Sequence, residues 1–194
     1  MSLQIFCGPM YSSKTRSMIE EINRFSDISF QKVLIINHHY DNRDIKHIVS
    51  SHSSIYKGLS DNIDTKSTGK LSQIDVSPYT VIGIDEVNFF EEQDLLNTIK
   101  LWLSLDKHII CSGLDGDIHM NPFGYISKLL PMADKFVKLR AVCHLCVKEL
   151  MDKNILITPF NTTPAPFTKK LIHDDKLIDI GGHDKYIAVC RKHF

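Results

Sequence analysis

No stretch of this 194-residue chain approaches the eighteen or so consecutive apolar residues that a membrane-crossing helix needs, so no bilayer is expected as a partner. Net charge is lacking too. The 23 basic and 23 acidic residues cancel, which removes the broad electrostatic footprint of a nucleic-acid-binding domain. The one asymmetry, 12 Lys or Arg against 7 Asp or Glu in residues 128–194, could attract an anionic small molecule but does not mark a polyanion site. Cysteine is sparse and odd in number, at five, which argues against a disulfide scaffold and for reduced thiols. No internal repeat is visible. The first residues run straight into a strand-like segment with no basic stretch or cleavage pattern, so the expected location is the cytoplasm.

What the chain does have is alternation of short apolar runs with helical spacing. Residues 3–7 form an apolar strand ending at Gly8-Pro9, and residues 14–25 place Met18, Ile19, Ile22 and Phe25 on one helical face. Strand character returns at 32–37, 79–85, 107–112 and 135–139, with a broad-faced helix at 91–105 and a short helix expected at 122–130, stopped near Pro131. Residues 38–77 are polar and read as loops with a short helix or strand. The pattern implies an α/β fold, a parallel sheet flanked by helices, whose right-handed crossovers bring the loops after Cys7, Asp85 and Ser112 to one edge. From residue 141 the character changes to cysteine-containing turns, a Pro- and Thr-rich segment and a hairpin over about 169–188. We therefore divide the chain into a nucleotide-binding domain, 1–140, and a small lobe, 141–194, too short to hold a core unaided.

Three constellations carry chemistry. Gly8-Pro9-Met10-Tyr11-Ser12-Ser13-Lys14-Thr15 has the frame of a phosphate loop between strand and helix, with Ser13 where the second glycine belongs. Its backbone N–H groups would curl around phosphates, with Lys14 near the β and γ positions and the Thr15 hydroxyl on Mg2+. The competing reading is a plain strand-to-helix turn with a solvated Lys14, which the flanking elements disfavour. Ile84-Asp85-Glu86 ends an apolar run as a magnesium-holding strand tip does, with Asp85 toward the metal and Glu86, by strand alternation, toward the acceptor. The alternative is a solvated loop or a cap for the next helix.

The third is Cys143-x-x-Cys146 with Cys190-x-x-His193, three thiolates and an imidazole spaced for two knuckles of a structural zinc site. The alternatives are unrelated pairs with a frayed His193, or a redox dithiol, which lacks the strand-to-helix placement such sites use. His144 could compete for a position but would distort the knuckle. Cys7 and Cys111, inside apolar runs, read as small buried hydrophobes.

With these segments in view, the chain resembles the type II, zinc-containing thymidine kinase family over nearly its whole length. The resemblance rests on GPMYSSKT at 8–15, IDEVNFF at 84–90, GLDGDIHMNPFG at 113–124, VKLRAVCHLC at 137–146, PFTKK at 166–170 and IGGHDKYIAVCRKH at 180–193. It implies a RecA-like phosphate-loop domain and a zinc lobe whose lasso loop covers the nucleoside. It implies ATP, Mg2+ and structural Zn2+ as cofactors, thymidine as acceptor and a homo-oligomer, usually a tetramer, in the host cytoplasm if the source is viral. Site roles carried over by resemblance are Lys14, Glu86 and Arg43 in catalysis. Gly8, Met10, Tyr11, Ser12, Ser13, Lys14, Thr15 and Asp85 would serve ATP and magnesium. For the nucleoside, Met10, Leu114 and Thr168 would border the thymine methyl, Phe89 and Phe123 would pack on the base, and Tyr186 would hold the sugar. Backbone around Ile178 to Gly182 would read the base edge, and Asp41, with Arg43, forms the D-x-R segment.

The chain departs from the family pattern at Ser13, at Asn88 where Gln is usual, at Asp117-Ile118 in place of Thr-Phe, and in a longer connection between Cys146 and Pro166. These departures motivate two alternatives to thymidine phosphorylation. One is a related deoxynucleoside kinase of altered base preference; the other is a catalytically weak nucleotide-binding protein.

Overall fold

The alternation of side chains along each strand divides the apolar residues between two faces of one sheet. The structure is a computed structural model that describes residues 1–29, 32–40, 63–171 and 184–194. Strands β1 (Ser2–Cys7), β2 (Val33–His38), β3 (Ile63–Thr68), β4 (Val81–Ile84), β5 (His108–Gly113) and β6 (Lys135–Lys138) pair in the order β3-β2-β4-β5-β1-β6, and every pairing is parallel. Parallel strands covered on both sides read as nearly unbroken apolar runs, as VLII in β2 and VIGI in β4 do.

Phe6, Val33, Ile35, Val81 and Ile110 face helix α1 (Lys14–Ser29), which answers with Met18, Ile19 and Ile22. Leu3, Ile5, Cys7, Leu34, Ile36, Ile82, Ile84, Ile109 and Cys111 face the other way, onto Leu95, Ile99 and Trp102 of helix α2 (Glu92–Ser104). A Cβ at Gly83 would lie 2.5 Å from Ile22 Cδ1, so the glycine lets α1 seat closely on β4. Burial pushes the Cys7 thiol up to about 12, and the Asp115 carboxylate adds to the effect; burial raises Cys111 as well. Both are protonated packing groups at neutral pH.

The expected helix at 122–130 is absent. In its place is a 3-10 turn, Ile126–Met132, that contains Pro131 instead of stopping before it. Two features displace the start: Gly116 bridges Pro122, and Gly124 takes φ 61, with its Cβ position 2.2 Å from the Asn88 carbonyl oxygen. A positive φ interrupts a regular helix at Gly124, and any side chain there would collide with the Asn88 backbone. The polar stretch 38–77 contains β3 and a 3-10 turn, Leu71–Gln73, in its described part.

The lobe after residue 140 holds β7 (Ala141–Val142) antiparallel to β8 (Pro164–Ala165), and β9 (Phe167–Lys170) antiparallel to β10 (Tyr186–Val189), the two ends of the expected hairpin. It also holds a helix that the sequence reading did not anticipate, α3 (His144–Asp152). Its packed centre is thin: Cys143, Ala165, Ile187, Ala188, Val189 and Cys190. No described helix is long and apolar enough to cross a membrane.

Ile82 is fully buried at the middle of β4. Ile82→Ala should lower unfolding free energy by about 2–5 kcal/mol, read from the midpoint shift in chemical denaturation at unchanged m-value.

Candidate active site and metal centre

Strand β1 is followed by Gly8, whose φ of 150 and whose hypothetical Cβ, 2.6 Å from the Leu139 carbonyl oxygen, admit only glycine without strain. The chain then turns through residues 9–13 into α1, with the Ser17 amide donating to the Ser13 carbonyl at 2.9 Å. Lys14 is buried, its Nζ donating to the Pro9 carbonyl at 2.8 Å, and the Ser12 hydroxyl donates to the same oxygen at 2.8 Å. The lysine is thus held back over the loop crown instead of extending into solvent. A helix N-terminus, its amides and a retracted ammonium together favour an anion.

Strand β4 delivers Asp85 to the same edge. The Thr15 hydroxyl lies 2.9 and 3.1 Å from the two Asp85 carboxylate oxygens, and the Ser112 hydroxyl, at the end of β5, donates to Asp85 Oδ1. Asp85 is 1% exposed. A buried carboxylate surrounded by hydroxyls is an array of hard oxygen donors, the set that Mg2+ takes with phosphate and water completing its shell. Glu86 is not separated from Asp85 by strand alternation as expected, because β4 ends at Ile84. Glu86 has φ 50, ψ 43, a left-handed turn that opens the 3-10 segment Val87–Phe89. The two acids diverge through a backbone kink, and Glu86 remains partly exposed while Asp85 is sealed.

The residues assigned to the acceptor pocket meet across loops. The Met10 amide donates to the Thr168 hydroxyl at 3.0 Å, and the Tyr11 hydroxyl donates to the Tyr186 carbonyl at 3.1 Å, so the phosphate loop touches both strands of the β9–β10 ribbon. Phe89 and Phe123 stand edge to face, 6.2 Å apart. The Leu114 amide donates to Asn88 Oδ1 at 2.8 Å, which ties the loop after β5 to the loop after β4. Asp41, Arg43, Ile178 and Gly182 lie outside the described residues.

At the far end of the lobe, the ligand atoms of Cys143, Cys146, Cys190 and His193 all lie within 4.8 Å of one another. His193 Nδ1 is 3.5, 3.4 and 3.5 Å from the sulfurs of Cys143, Cys146 and Cys190, and Cys146 Sγ is 3.7 Å from Cys190 Sγ. Tetrahedral zinc at ordinary bond lengths requires about 3.8 Å between sulfurs and about 3.6 Å between sulfur and nitrogen. The donor set fits zinc in chemistry and in spacing. Cys143 lies below the usual thiol range: burial opposes this, but the amides of Cys146 and Cys190 outweigh it. His144 is exposed and outside the cluster.

A family model described as thymidine kinase matches residues 1–194. The chain belongs to the thymidine kinase family. It is 37% identical to the thymidine kinase of Amsacta moorei entomopoxvirus over 98% of this chain and 96% of that one. It is 31% identical to that of Pseudothermotoga lettingae over 97% and 92%, and 32% identical to that of fowlpox virus over 100% and 96%. A solved structure of the flagellar accessory protein FlaH from Methanocaldococcus jannaschii superposes with TM-score 0.54 at 17% identity, covering 73% of this chain and 71% of that one, a likeness of fold alone. The parallel sheet flanked by helices and the three-cysteine, one-histidine cluster agree with the RecA-like, zinc-containing architecture that the resemblance implied. The chain is a kinase.

Several residues of the site escaped sequence reading. Ser112 was placed only as the end of a strand, yet its parallel register with β4 is the signal that it would stand beside Asp85. His38, 3% exposed at the end of β2, stacks on His39 at 4.4 Å and meets Phe90 edge-on at 4.7 Å, with Phe89 5.7 Å away; burial lowers its pKa. Nothing in the sequence pattern of residues 38–40 pointed to that contact. Asp117, one of the two residues that stand in place of Thr-Phe, has Oδ1 accepting from the amides of His119 and Asn121 at 2.8 Å each, and so closes its own turn.

Ser13 takes φ 63, the conformation a glycine adopts at no cost, and its side chain is exposed. The loop therefore keeps its path and carries local strain. Replacing Ser13 with Gly should leave unfolding free energy within about 1 kcal/mol, since relief of the left-handed backbone is offset by a freer unfolded chain. Ser13→Val should cost about 2 kcal/mol, because a β-branched residue tolerates positive φ poorly. Chemical denaturation of both variants measures the difference.

Proposed function

We propose that this chain transfers the γ-phosphoryl group of ATP, bound with Mg2+, to the 5′-hydroxyl of thymidine. The observation that carries the reading is the Thr15–Asp85 contact, which sets a magnesium-type carboxylate against the first turn of the helix that begins at Lys14. The names of the poxviral and bacterial relatives support thymidine as the acceptor.

In this reading the loop amides of residues 8–13 and the Lys14 ammonium bind the β and γ phosphates, Lys14 exchanging the Pro9 carbonyl for a phosphate oxygen. Thr15 and Asp85 would hold Mg2+, which would supply charge neutralisation, and the Ser112 hydroxyl keeps the Asp85 carboxylate turned toward Thr15. Glu86, kinked out of the strand and partly exposed, orients the 5′-hydroxyl and takes its proton late, for which an ordinary glutamate suffices. By the family resemblance, Arg43 of the Asp41-Asn42-Arg43 segment would assist at the phosphates. Phe89 and Phe123 pack on the base, Met10, Leu114 and Thr168 border its methyl group and Tyr186 supports the sugar; the family resemblance assigns the polar edge to the segment from Ile178 to Gly182. Zinc held by Cys143, Cys146, Cys190 and His193 would be structural, because four protein ligands leave no open position.

Purified protein assayed with ATP-Mg2+ and each deoxynucleoside should turn over thymidine fastest. Deoxyuridine, lacking one methyl, should lose about 10–200-fold in kcat/KM. Faster turnover of deoxycytidine or deoxyguanosine would transfer the assignment to another base, and turnover of none would remove the enzymatic reading. Glu86→Gln should lower kcat by about 100–10,000-fold while ATP Kd stays within about 2-fold. A matching loss of ATP affinity would place Glu86 in the phosphate cradle instead.

A further inference from the structure

The imidazole of His193 faces the three sulfurs with Nδ1 and turns its other nitrogen, Nε2, to a carboxylate: Glu149 Oε1 lies 2.9 Å away. A neutral imidazole carries one N–H, and a metal ligand needs a lone pair, so the atom that bonds the carboxylate decides which nitrogen is left for the metal. We propose that Glu149 is a positioning residue of the metal centre, accepting the Nε2–H of His193 and thereby holding the Nδ1 lone pair on the three-sulfur cluster.

Helix α3 explains why this residue is available. Cys143 caps it, Cys146 lies in its first turn and Glu149 follows at the next i+3 position, so thiolate and carboxylate rise along neighbouring positions of one face. His193 and Lys192 come from the other knuckle, the 3-10 turn Arg191–His193. Lys192 Nζ reaches both Glu149 oxygens at 3.1 and 3.2 Å, which fixes the carboxylate from the outside while His193 engages Oε1. The carboxylate therefore joins the two halves of the cluster across 44 residues of chain without touching the metal position. An exposed Glu–Lys pair alone contributes little to stability. The bond to a ligating imidazole gives the same glutamate a distinct task, since such outer partners set ring orientation and ligand basicity.

The test is zinc affinity by competition with a chromophoric chelator on the full chain, together with the long-range proton–nitrogen NMR spectrum of His193. Wild-type protein should show a metallated Nδ1 and a protonated Nε2. Glu149→Ala should bind zinc about 10–100-fold more weakly and, in the zinc-free protein where no metal fixes the ring, show exchange between the two ring tautomers that wild-type protein does not show. Glu149→Gln, whose amide oxygen can still accept from Nε2, should recover part of the affinity and keep the wild-type tautomer, which also guards against a folding defect in the alanine variant. Lys192→Ala, which removes only the outer ion pair, should stay within about 3-fold of wild type. Unchanged zinc affinity and tautomer in Glu149→Ala would overturn the proposal. So would a loss in Lys192→Ala equal to that in Glu149→Ala, because it would reduce the contact to surface charge.

Discussion

A carboxylate that is 1% exposed constrains everything built around it. Asp85 has given up its water, and a buried polar group left without partners costs more than a typical single contact returns, so its oxygens need donors or a cation around them. The compensation comes from two hydroxyls on separate elements, Thr15 at the foot of α1 and Ser112 at the end of β5. Both arrive there because β1, β4 and β5 run parallel and end together. Parallel register, the two-sided apolar core that demands it and the position of the phosphate loop are therefore one arrangement, viewed at three scales.

The kink at Glu86 follows from the same crowding. With Asp85 turned inward and the Asn88 carboxamide bonded to the Leu114 amide, the chain leaves β4 through a left-handed residue and a tight 3-10 turn. The backbone strain sits where two adjacent acids must face different partners, a cost of roughly 1–3 kcal/mol per such residue that the sheet beneath sustains. Ser13 and Tyr11 add two more positive φ angles within the phosphate loop. Three left-handed residues thus gather at the carboxyl edge, and the others, Asp106, Met120 and Asn154, sit in turns outside the strands.

Legibility in the sequence followed the range of the interactions. Strands β1, β2, β4, β5 and β6, helices α1 and α2 and the zinc ligands were readable because each rests on local spacing: apolar runs, a 3.6-residue stripe, two short-spaced ligand pairs; β3, with the polar sequence IDTKST, was not. Ser112, His38 and Glu149 were not, because their roles depend on register between strands or on contacts across 44 residues or more of chain. The helix misplaced to 122–130 shows a different limit. Residues 122–130 have a passable helical pattern, but Gly124 is pressed against the Asn88 backbone, a tertiary contact that overrides local preference. The alternation rule likewise placed Glu86 correctly away from Asp85 but for the wrong reason, since the strand had already ended. Helix α3 was masked by the cysteines that bound its first turn, which drew attention to ligation and away from the Val-Lys-Glu-Leu-Met run after them.

Strand β9 presents consecutive side chains to opposite sides. Thr168 meets the Met10 amide in the phosphate loop, and Lys169 Nζ donates to the carbonyls of His193 at 2.9 Å and Phe194 at 3.2 Å beside the metal cluster. One peptide unit thus spaces the two centres, and its handedness is set by the pleat. Gaining or losing a single residue just ahead of Thr168 would swap those two side chains between faces and disconnect both anchors at once. The irregular arm at 153–163 carries no such phase relation, so variation in chain length within this lobe is tolerable there and forbidden in β9.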